Sequence, residues 1–364
     1  MYQYPIVKPY LPPLEKYQTY ISEIFQRNWL TNNGPCVQLL EQRLAEYLGV
    51  EHLLLVANGT VALQLAYAAL EIKGKVLTTP FSFAATASSL CWQGLKPEFI
   101  DIDPNSLNLD VKNISRQQWQ EASAVLPVHV FGNPCEVDAL AALAEEHRVK
   151  VVYDAAHAFG SQINGKSLLR YGDAATLSFH ATKIFHCVEG GAVIFKDKAV
   201  YEKARQLINF GFDRENFPQL VGINGKMSEV HAAMGLALLE EIGDITASRR
   251  ALAGHYHQQL ENVLQVQTWY PGEQRNGAYM PVLFETEQQA LTIADALHRE
   301  GIGTRRYFYP SLSQVPAYGQ AGETPVANDI ASRILCLPLY TGLTLSGVDV
   351  ITAKLKQALV SCQA

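Results

Sequence analysis

Through the first two-thirds of the chain, short apolar runs alternate with stretches whose apolar residues recur every three or four positions. A parallel sheet with crossover helices leaves this pattern in a sequence. Seven runs read as strands: HLLLVA at 52–57, KVLTT at 75–79, KPEFID at 96–101, SAVLPVHV at 123–130, KVVYD at 150–154, AATLSF at 174–179 and GAVIF at 191–195. Helical spacing between them predicts helices at 60–71, 136–148 and 197–210. The expectation is a layered α/β domain around a mostly parallel seven-stranded sheet.

The pattern changes near residue 240. A long helix is expected through 226–242, then Gly243, then a second helical stretch from about 245 to 264. Beyond lie a strand at 278–284, a helix at 287–300, the polar aromatic segment RRYFYP at 305–310, a strand at 334–339 and a closing helix with Val348, Ile351, Leu355 and Leu359 on one face. This divides the chain into a large domain over 1–242 and a smaller α+β domain over 243–364.

Composition narrows the function classes. A chain of 364 residues with 48% hydrophobic positions is long enough for two buried cores. Net charge is −6, and the 29 Lys and Arg residues form no basic run, so nucleic acid and anionic membrane are not expected partners. No window reaches the ~20 apolar residues of a membrane span, and the opening MYQYPIVKPYLPPLEKYQ has no secretion-signal core. The six cysteines are dispersed without a C-x-x-C pair, as expected for reduced thiols of a cytoplasmic protein.

Ligands of open α/β sheets bind at the carboxyl ends of the strands, so polar residues directly after strands are the candidates. Asn58, Gly59 and Thr60 follow the first strand and precede a helix, which aims free N–H groups and a hydroxyl at an anion; the same tripeptide is also an ordinary strand-to-helix turn. Asp154 ends KVVYD between apolar neighbours, where a carboxylate requires a cationic partner such as a protonated pyridine nitrogen, or else caps a following helix. Lys183, in SFHATK and flanked by Phe179 and Phe185, is either a desolvated nucleophilic amine or a solvated surface charge. No G-x-G-x-x-G or G-x-x-x-x-G-K-[ST] occurs, which leaves dinucleotide and P-loop chemistry unsupported. His129, His157, His180 and His186 fall on separate elements without metal-ligand spacing, so no metal site is expected.

Taken in order, N-G-T at 58–60, T-T-P-F-S-F-A-A-T-A at 78–87, D-A-A-H at 154–157, S-F-H-A-T-K at 178–183, E-G-G at 189–191 and G-I-N-G-K-M-S-E at 222–229 resemble the DegT/DnrJ/StrS-type nucleotide-sugar aminotransferases. These are fold-type I pyridoxal-phosphate enzymes, and the resemblance runs from KPYLPPL at 8–14 and WLTNNGP at 29–35 to ILCLPLY at 334–340. It implies that Lys183 holds pyridoxal 5'-phosphate covalently and that Asp154 pairs with the pyridine nitrogen. His157, one helical turn on, would reach the ring's phenolic oxygen. Gly59, Thr60 and Ser178 would bind the phosphate, and Phe83 would lie against the ring. Asn224 would reach the phosphate of a neighbouring subunit, making a homodimer with shared active sites the functional unit. Apart from the resemblance, Glu189 before Gly190-Gly191 is either an acid/base or a partner that orients the lysine loop, and the aromatic group Tyr307, Phe308 and Tyr309 is either half core or presents a Tyr beside Arg305 and Arg306 to an anionic substrate.

The implied reaction is ping-pong transamination from L-glutamate to a nucleotide-linked ketosugar. Within the family the resemblance points to the 4-keto carbon of a dTDP-linked 4-dehydro-6-deoxyhexose, made for a surface glycan such as O-antigen. Family members that dehydrate sugars at C3 carry His where this chain has Lys183, so amino transfer is the expected chemistry. C3 and C4 amination, and dTDP, GDP and UDP carriers, are not separated by the residues themselves. A non-catalytic regulatory relative would keep the fold but lose Lys183 or Asp154, and both are present.

Overall fold

The computed structural model describes residues 2–319 and 323–363. In chain order its first nine strands are β1 (His52–Val56), β2 (Lys75–Thr78), β3 (Lys96–Phe99), β4 (Ala122–Leu126), β5 (Lys150–Asp154), β6 (Gln162–Ile163), β7 (Lys166–Ser167), β8 (Ala174–Ser178) and β9 (Gly191–Phe195). Setting aside the small β6–β7 hairpin, the seven expected strands form one sheet in the order β1-β9-β8-β5-β4-β2-β3. All neighbours from β8 to β3 are parallel, and β9 alone runs against both of its neighbours. β4 stops at Leu126 rather than at 130 because Pro127 has no N–H for the ladder; one further bridge joins Val128 to Asp154.

Helices cover both faces, and the period of two along each strand feeds both layers. In β5, Val151 and Tyr153 enter a core with Leu40, Leu44 and Leu236, whereas Val152 enters the opposite core with Leu65, Ala66 and Tyr67. The expected helices form at Gly59–Ala69, Val137–His147 and Lys198–Leu207, the last capped by the Asp197 carboxylate on the N–H groups of Ala199 and Val200.

The expected helix at 226–242 is shorter, Glu229–Leu239, and begins where the Ser228 hydroxyl accepts from the His231 N–H. The break expected at Gly243 falls earlier: the next helix runs from Ile242 to Leu260 with Gly243 inside its first turn. This helix belongs to two cores. Ile242 and Ile245 pack under the large sheet, whereas Leu252, Tyr256 and Leu260 pack with Val282, Ile293 and Leu355. The latter core lies on an antiparallel sheet of β10 (Gln265–Val266), β11 (Pro281–Leu283) and β12 (Ile334–Cys336). Helices Glu287–Arg299 and Leu345–Gln363 complete it, with Val348, Ile351 and Leu355 fully buried.

A separate apolar seam fixes this smaller part over the carboxyl edge of the large sheet, where Phe81, Val128 and Phe131 meet Leu283, Phe308 and Cys336. Asp101 reinforces it from just past β3, accepting from the N–H groups of Val326 and Ala327 at the start of the helix Pro325–Arg333. Among the described residues, no helix is long and apolar enough to cross a membrane.

Candidate active site

A cavity of about 770 Å³ opens at the carboxyl edge of the large sheet, beneath the seam. Its walls include Gly59, Thr60, Phe83, Asp154, His157, Ser178 and Lys183, together with Tyr279, Arg305, Tyr307 and Phe308 from the smaller part. Seven of the eight residues expected at the site therefore meet in one chamber.

Its phosphate corner is built by close backbone approach. Asn58 caps the helix Gly59–Ala69 by accepting from the Val61 N–H at 2.9 Å, and among the described residues the N–H groups of Gly59 and Thr60 have no partner. The glycine is there for space, not for a left-handed turn: a Cβ on Gly59 would stand 2.9 Å from Ser178 Cβ. One on Gly191, at the start of β9, would stand 2.6 Å from the carbonyl carbon of Asn58. Two glycines thus let the ends of β8 and β9 close on the helix N-terminus, bringing the Ser178 and Thr60 hydroxyls beside free N–H donors. Such a corner favours a phosphate.

Asp154 is buried at the end of β5. One carboxylate oxygen accepts from Thr86 Oγ1 at 2.8 Å and the other from the Ala156 N–H at 3.1 Å. No helix follows, so a helix-cap role is excluded; residues 155–160 form turns, and the expected helical turn to His157 is a tight bend. Burial raises the Asp154 pKa above the usual carboxylate range, opposed by Thr86, Ala156 and the charge of Lys183. A carboxylate so placed is completed by a cation entering from the cavity.

Lys183 sits in the loop between β8 and β9, closed at its base by Phe179 N–H donating to Gly190 O at 2.8 Å. Phe179 and Phe185 are fully buried beneath it, edge to face at 4.9 Å. Nζ donates to Tyr279 Oη at 3.2 Å, and desolvation lowers the amine from its ordinary 10.5 to about 8, although the Asp154 charge pulls the other way. The solvated-surface alternative is thereby excluded. Tyr279 is itself held by Arg249, whose buried guanidinium donates to the carbonyls of Gly277 and Ala278.

The His157 ring is stacked on Phe308 at 5.7 Å, and its Nδ1 accepts from the Phe131 N–H at 3.2 Å. Burial holds the imidazole neutral, far below its ordinary pKa. With Nδ1 accepting, Nε2 carries the hydrogen and serves as a donor. Phe83 stands half exposed at the cavity mouth. Glu189 lies 3.7 Å from His180 Nε2, and His180 Nδ1 meets the Thr182 hydroxyl, so this pair braces the lysine loop. Asn224 is outside the cavity wall, exposed on a loop bridged to Asn209.

The other histidines have separate duties. His129 is stacked on Tyr153 at 4.6 Å and pushed down to about 3 by burial, and His186 bonds the Tyr10 carbonyl at 2.7 Å. Among the described residues, no three His, Cys, Asp or Glu side chains converge as metal ligands.

This donor set fits pyridoxal phosphate: a phosphate corner, a buried carboxylate for a ring nitrogen, a neutral imidazole donor and a desolvated lysine amine share one chamber. Sequence reading missed Tyr279, Thr86 and Arg249. Thr86 lay inside the quoted 78–87 motif, but Tyr279 and Arg249 carried no local signal.

The chain resembles known proteins along its whole length. The family model described as the DegT/DnrJ/EryC1/StrS aminotransferase family matches residues 14–356. A Shigella dysenteriae protein named dTDP-4-amino-4,6-dideoxy-D-glucose transaminase is 42% identical over 97% of this chain and 98% of its own. A GDP-perosamine synthase from Caulobacter vibrioides is 32% identical over 94% of this chain and 95% of its own. Among solved structures, DesI in the presence of its TDP-sugar product superposes with a TM-score of 0.91 at 32% identity, covering 99% of this chain and 94% of that one. The chain belongs to the DegT/DnrJ/EryC1/StrS aminotransferase family and is a pyridoxal-phosphate-dependent nucleotide-sugar aminotransferase.

Proposed function

We propose that the enzyme moves the amino group of L-glutamate to the 4-keto carbon of dTDP-4-dehydro-6-deoxy-D-glucose, giving dTDP-4-amino-4,6-dideoxy-D-glucose for a surface glycan. The observation that carries this reading is the 42% identity, over nearly the full chain, to the Shigella transaminase of that product. The DesI likeness, with its TDP-sugar product, supports the same carrier. The Caulobacter relative favours a second reading, a GDP-linked 4-ketosugar.

When bound, pyridoxal phosphate supplies a carbonyl carbon that carries the amino group and a ring that accepts electrons. The residues of this chain supply the rest. Asp154, ionised, holds a proton on the ring nitrogen. Gly59, Thr60 and Ser178 anchor the phosphate. Nε2 of His157 would donate to the phenolic oxygen, and Phe83 would lie against the ring. Lys183 Nζ would hold the cofactor at rest and, once freed, would carry the proton from the donor's Cα to the cofactor's carbonyl carbon, a task to which its lowered pKa suits it near neutral pH.

The active unit in this reading is a homodimer working in the cytoplasm, each chain having a large and a smaller domain joined by the helix Ile242–Leu260, which packs into both cores. Asn224 completes the phosphate site of the partner subunit. Its exposure on a loop with the exposed apolar Val221 and Ile223 supports that assignment. Mixing Lys183→Ala with Asn224→Ala subunits then regenerates one intact site per hybrid dimer, so activity returns on mixing; two preparations that stay inactive together refute the shared site. For the substrate, dTDP-, GDP- and UDP-linked 4-ketosugars are incubated with enzyme, cofactor and glutamate, and the products are read by NMR. Amination of the dTDP sugar at C4 is expected. Turnover of the GDP sugar alone would replace this reading with the second.

A further inference from the structure

Residues 5–13 form neither helix nor strand, yet they run from the smaller domain to the loop that carries Lys183. Pro5, Pro9, Pro12 and Pro13 stiffen them. At one end the segment is bonded to the smaller domain: Tyr4 N–H donates to Gly301 O at 3.0 Å, Gly303 N–H to Tyr4 O at 2.8 Å, and Leu339 N–H to Ile6 O at 3.4 Å. At the other end the Tyr10 ring packs against the core of the large domain, and the Tyr10 carbonyl accepts from His186 Nε2 at 2.7 Å.

His186 belongs to the lysine loop, three residues past Lys183, and is buried. Its Nε2 meets a carbonyl and its Nδ1 meets the Val188 N–H at 3.3 Å, so the ring is the neutral tautomer with its hydrogen on Nε2. Burial favours that form by pushing the imidazole below its ordinary pKa. The second bond holds a strained residue. Val188 has φ +67°, a left-handed conformation that a β-branched side chain rarely adopts and that persists only where its surroundings impose it. One imidazole therefore both shapes the loop and fastens it to the N-terminal segment.

The fastening closes a ring. Leu337 N–H donates to Met280 O at 2.9 Å, and Met280 follows Tyr279, whose hydroxyl takes the Lys183 hydrogen bond at 3.2 Å. From Lys183 the ring passes through Tyr279 and Leu337 to Leu339, then along residues 6–10 to His186 and back to Lys183. The smaller domain thus grips the lysine loop twice, at the amine and three residues beyond it. The tie from Ile6 to Tyr10 reaches about 14 Å at full extension and has little slack to lose.

We propose that His186 is a positioning residue: by fastening residues 6–10 to the lysine loop, it keeps Lys183 Nζ in register with Tyr279 for the proton step. This inference rests on the reading of Lys183 as the proton carrier and not on which sugar is the acceptor.

On cofactor-loaded enzyme without sugar, L-glutamate bleaches the yellow cofactor band, and comparison with glutamate deuterated at Cα reports the proton step. Two variants loosen the ring from opposite sides. His186→Leu removes the donor, and a Gly-Gly insertion between the exposed Lys8 and Pro9 slackens the tie while leaving every side chain of the lysine loop in place. Each is expected to slow bleaching roughly fivefold, the order lost with one neutral hydrogen bond, to enlarge the isotope effect and to leave the apparent affinity for glutamate unchanged. His186→Gln, which keeps an N–H at similar reach, restores the rate. Because both variants act through Tyr279, neither slows Tyr279→Phe any further, a non-additivity that local damage to the loop would not produce. The proposal is overturned if the insertion leaves the isotope effect at its wild-type value, if His186→Leu multiplies the loss in Tyr279→Phe, or if glutamate affinity falls while the bleaching rate constant holds. Cofactor-loaded Lys183→Ala that still releases the Cα deuterium at the wild-type rate would sink the reading of Lys183 instead, whatever the insertion does.

Discussion

The lowered pKa of Lys183 makes a quantitative prediction about how the apoprotein captures its cofactor. Only the neutral amine attacks an aldehyde. With a pKa of about 8, roughly one lysine in ten is neutral at pH 7; at the ordinary 10.5 the fraction would be roughly 300-fold smaller. The rate of capture, followed in a stopped-flow instrument by the growth of the yellow band, is therefore expected to rise about tenfold from pH 6 to pH 7 and to level off above about 8. Asp154→Asn removes the charge that favours the lysine cation, so its plateau begins at lower pH. The same burial has a thermodynamic face: between about 8 and 10.5 the unfolded lysine keeps a proton that the folded one has released, so the apoprotein gains stability as pH rises through that window. Capture that keeps accelerating beyond pH 9.5 in the wild type would mean a solvated lysine and would refute the reasoning.

Three further perturbations address the supports of the site. Thr86→Val removes the 2.8 Å bond to Asp154; a bond to a charged group contributes about 1.5–3 kcal/mol, so turnover should fall at least tenfold and the ring-nitrogen titration should shift, with both restored by Thr86→Ser. Gly59→Ala places a methyl group 2.9 Å from Ser178 Cβ. Overpacking of this kind costs about 1–3 kcal/mol, and equilibrium titration should show weaker binding of the cofactor phosphate; unchanged affinity would deny the close-approach account. Tyr279→Phe deletes the 3.2 Å contact with Lys183 and should leave the cofactor bound while slowing proton transfer several-fold, seen as a larger isotope effect with donor deuterated at Cα. An unchanged isotope effect would leave Tyr279 only a packing role.

Apart from the edge strand β3, the large sheet was legible because its strands are apolar runs buried on both faces, and a run such as KVVYD admits few other readings. Asp154 was legible because it is a charge set directly against such a run, whereas Lys183, five positions past the end of β8, was legible only in combination with Asp154 and the motifs around it. Thr86 and Tyr279 were not, since neither polarity nor spacing marks them. Tyr279 gains meaning only when a strand nearly a hundred positions later is folded over the sheet edge. The break at Gly243 was misplaced because an exposed glycine with open space around it is tolerated in a first helical turn. Several helices, among them Leu14–Arg27 and Ala84–Trp92, were not anticipated. The latter is built from small residues with almost no separation of apolar and polar faces, so periodicity could not announce it.

The reversal of β9 bears on how the lysine is carried. A parallel successor to β8 would need a crossover that returns to the opposite edge of the sheet, carrying the connecting chain away from the carboxyl edge where the site lies. Because β9 runs back beside β8, the intervening chain from Phe179 to Gly190 is a strap pinned at both ends to rigid neighbours. Lengthening that strap would slacken the leash on the amine without touching any side chain of the site. Insertions there should therefore be far less tolerated than insertions of equal length in the β6–β7 hairpin, and this stretch of chain becomes the natural place to look for the tolerance limit of the whole catalytic design.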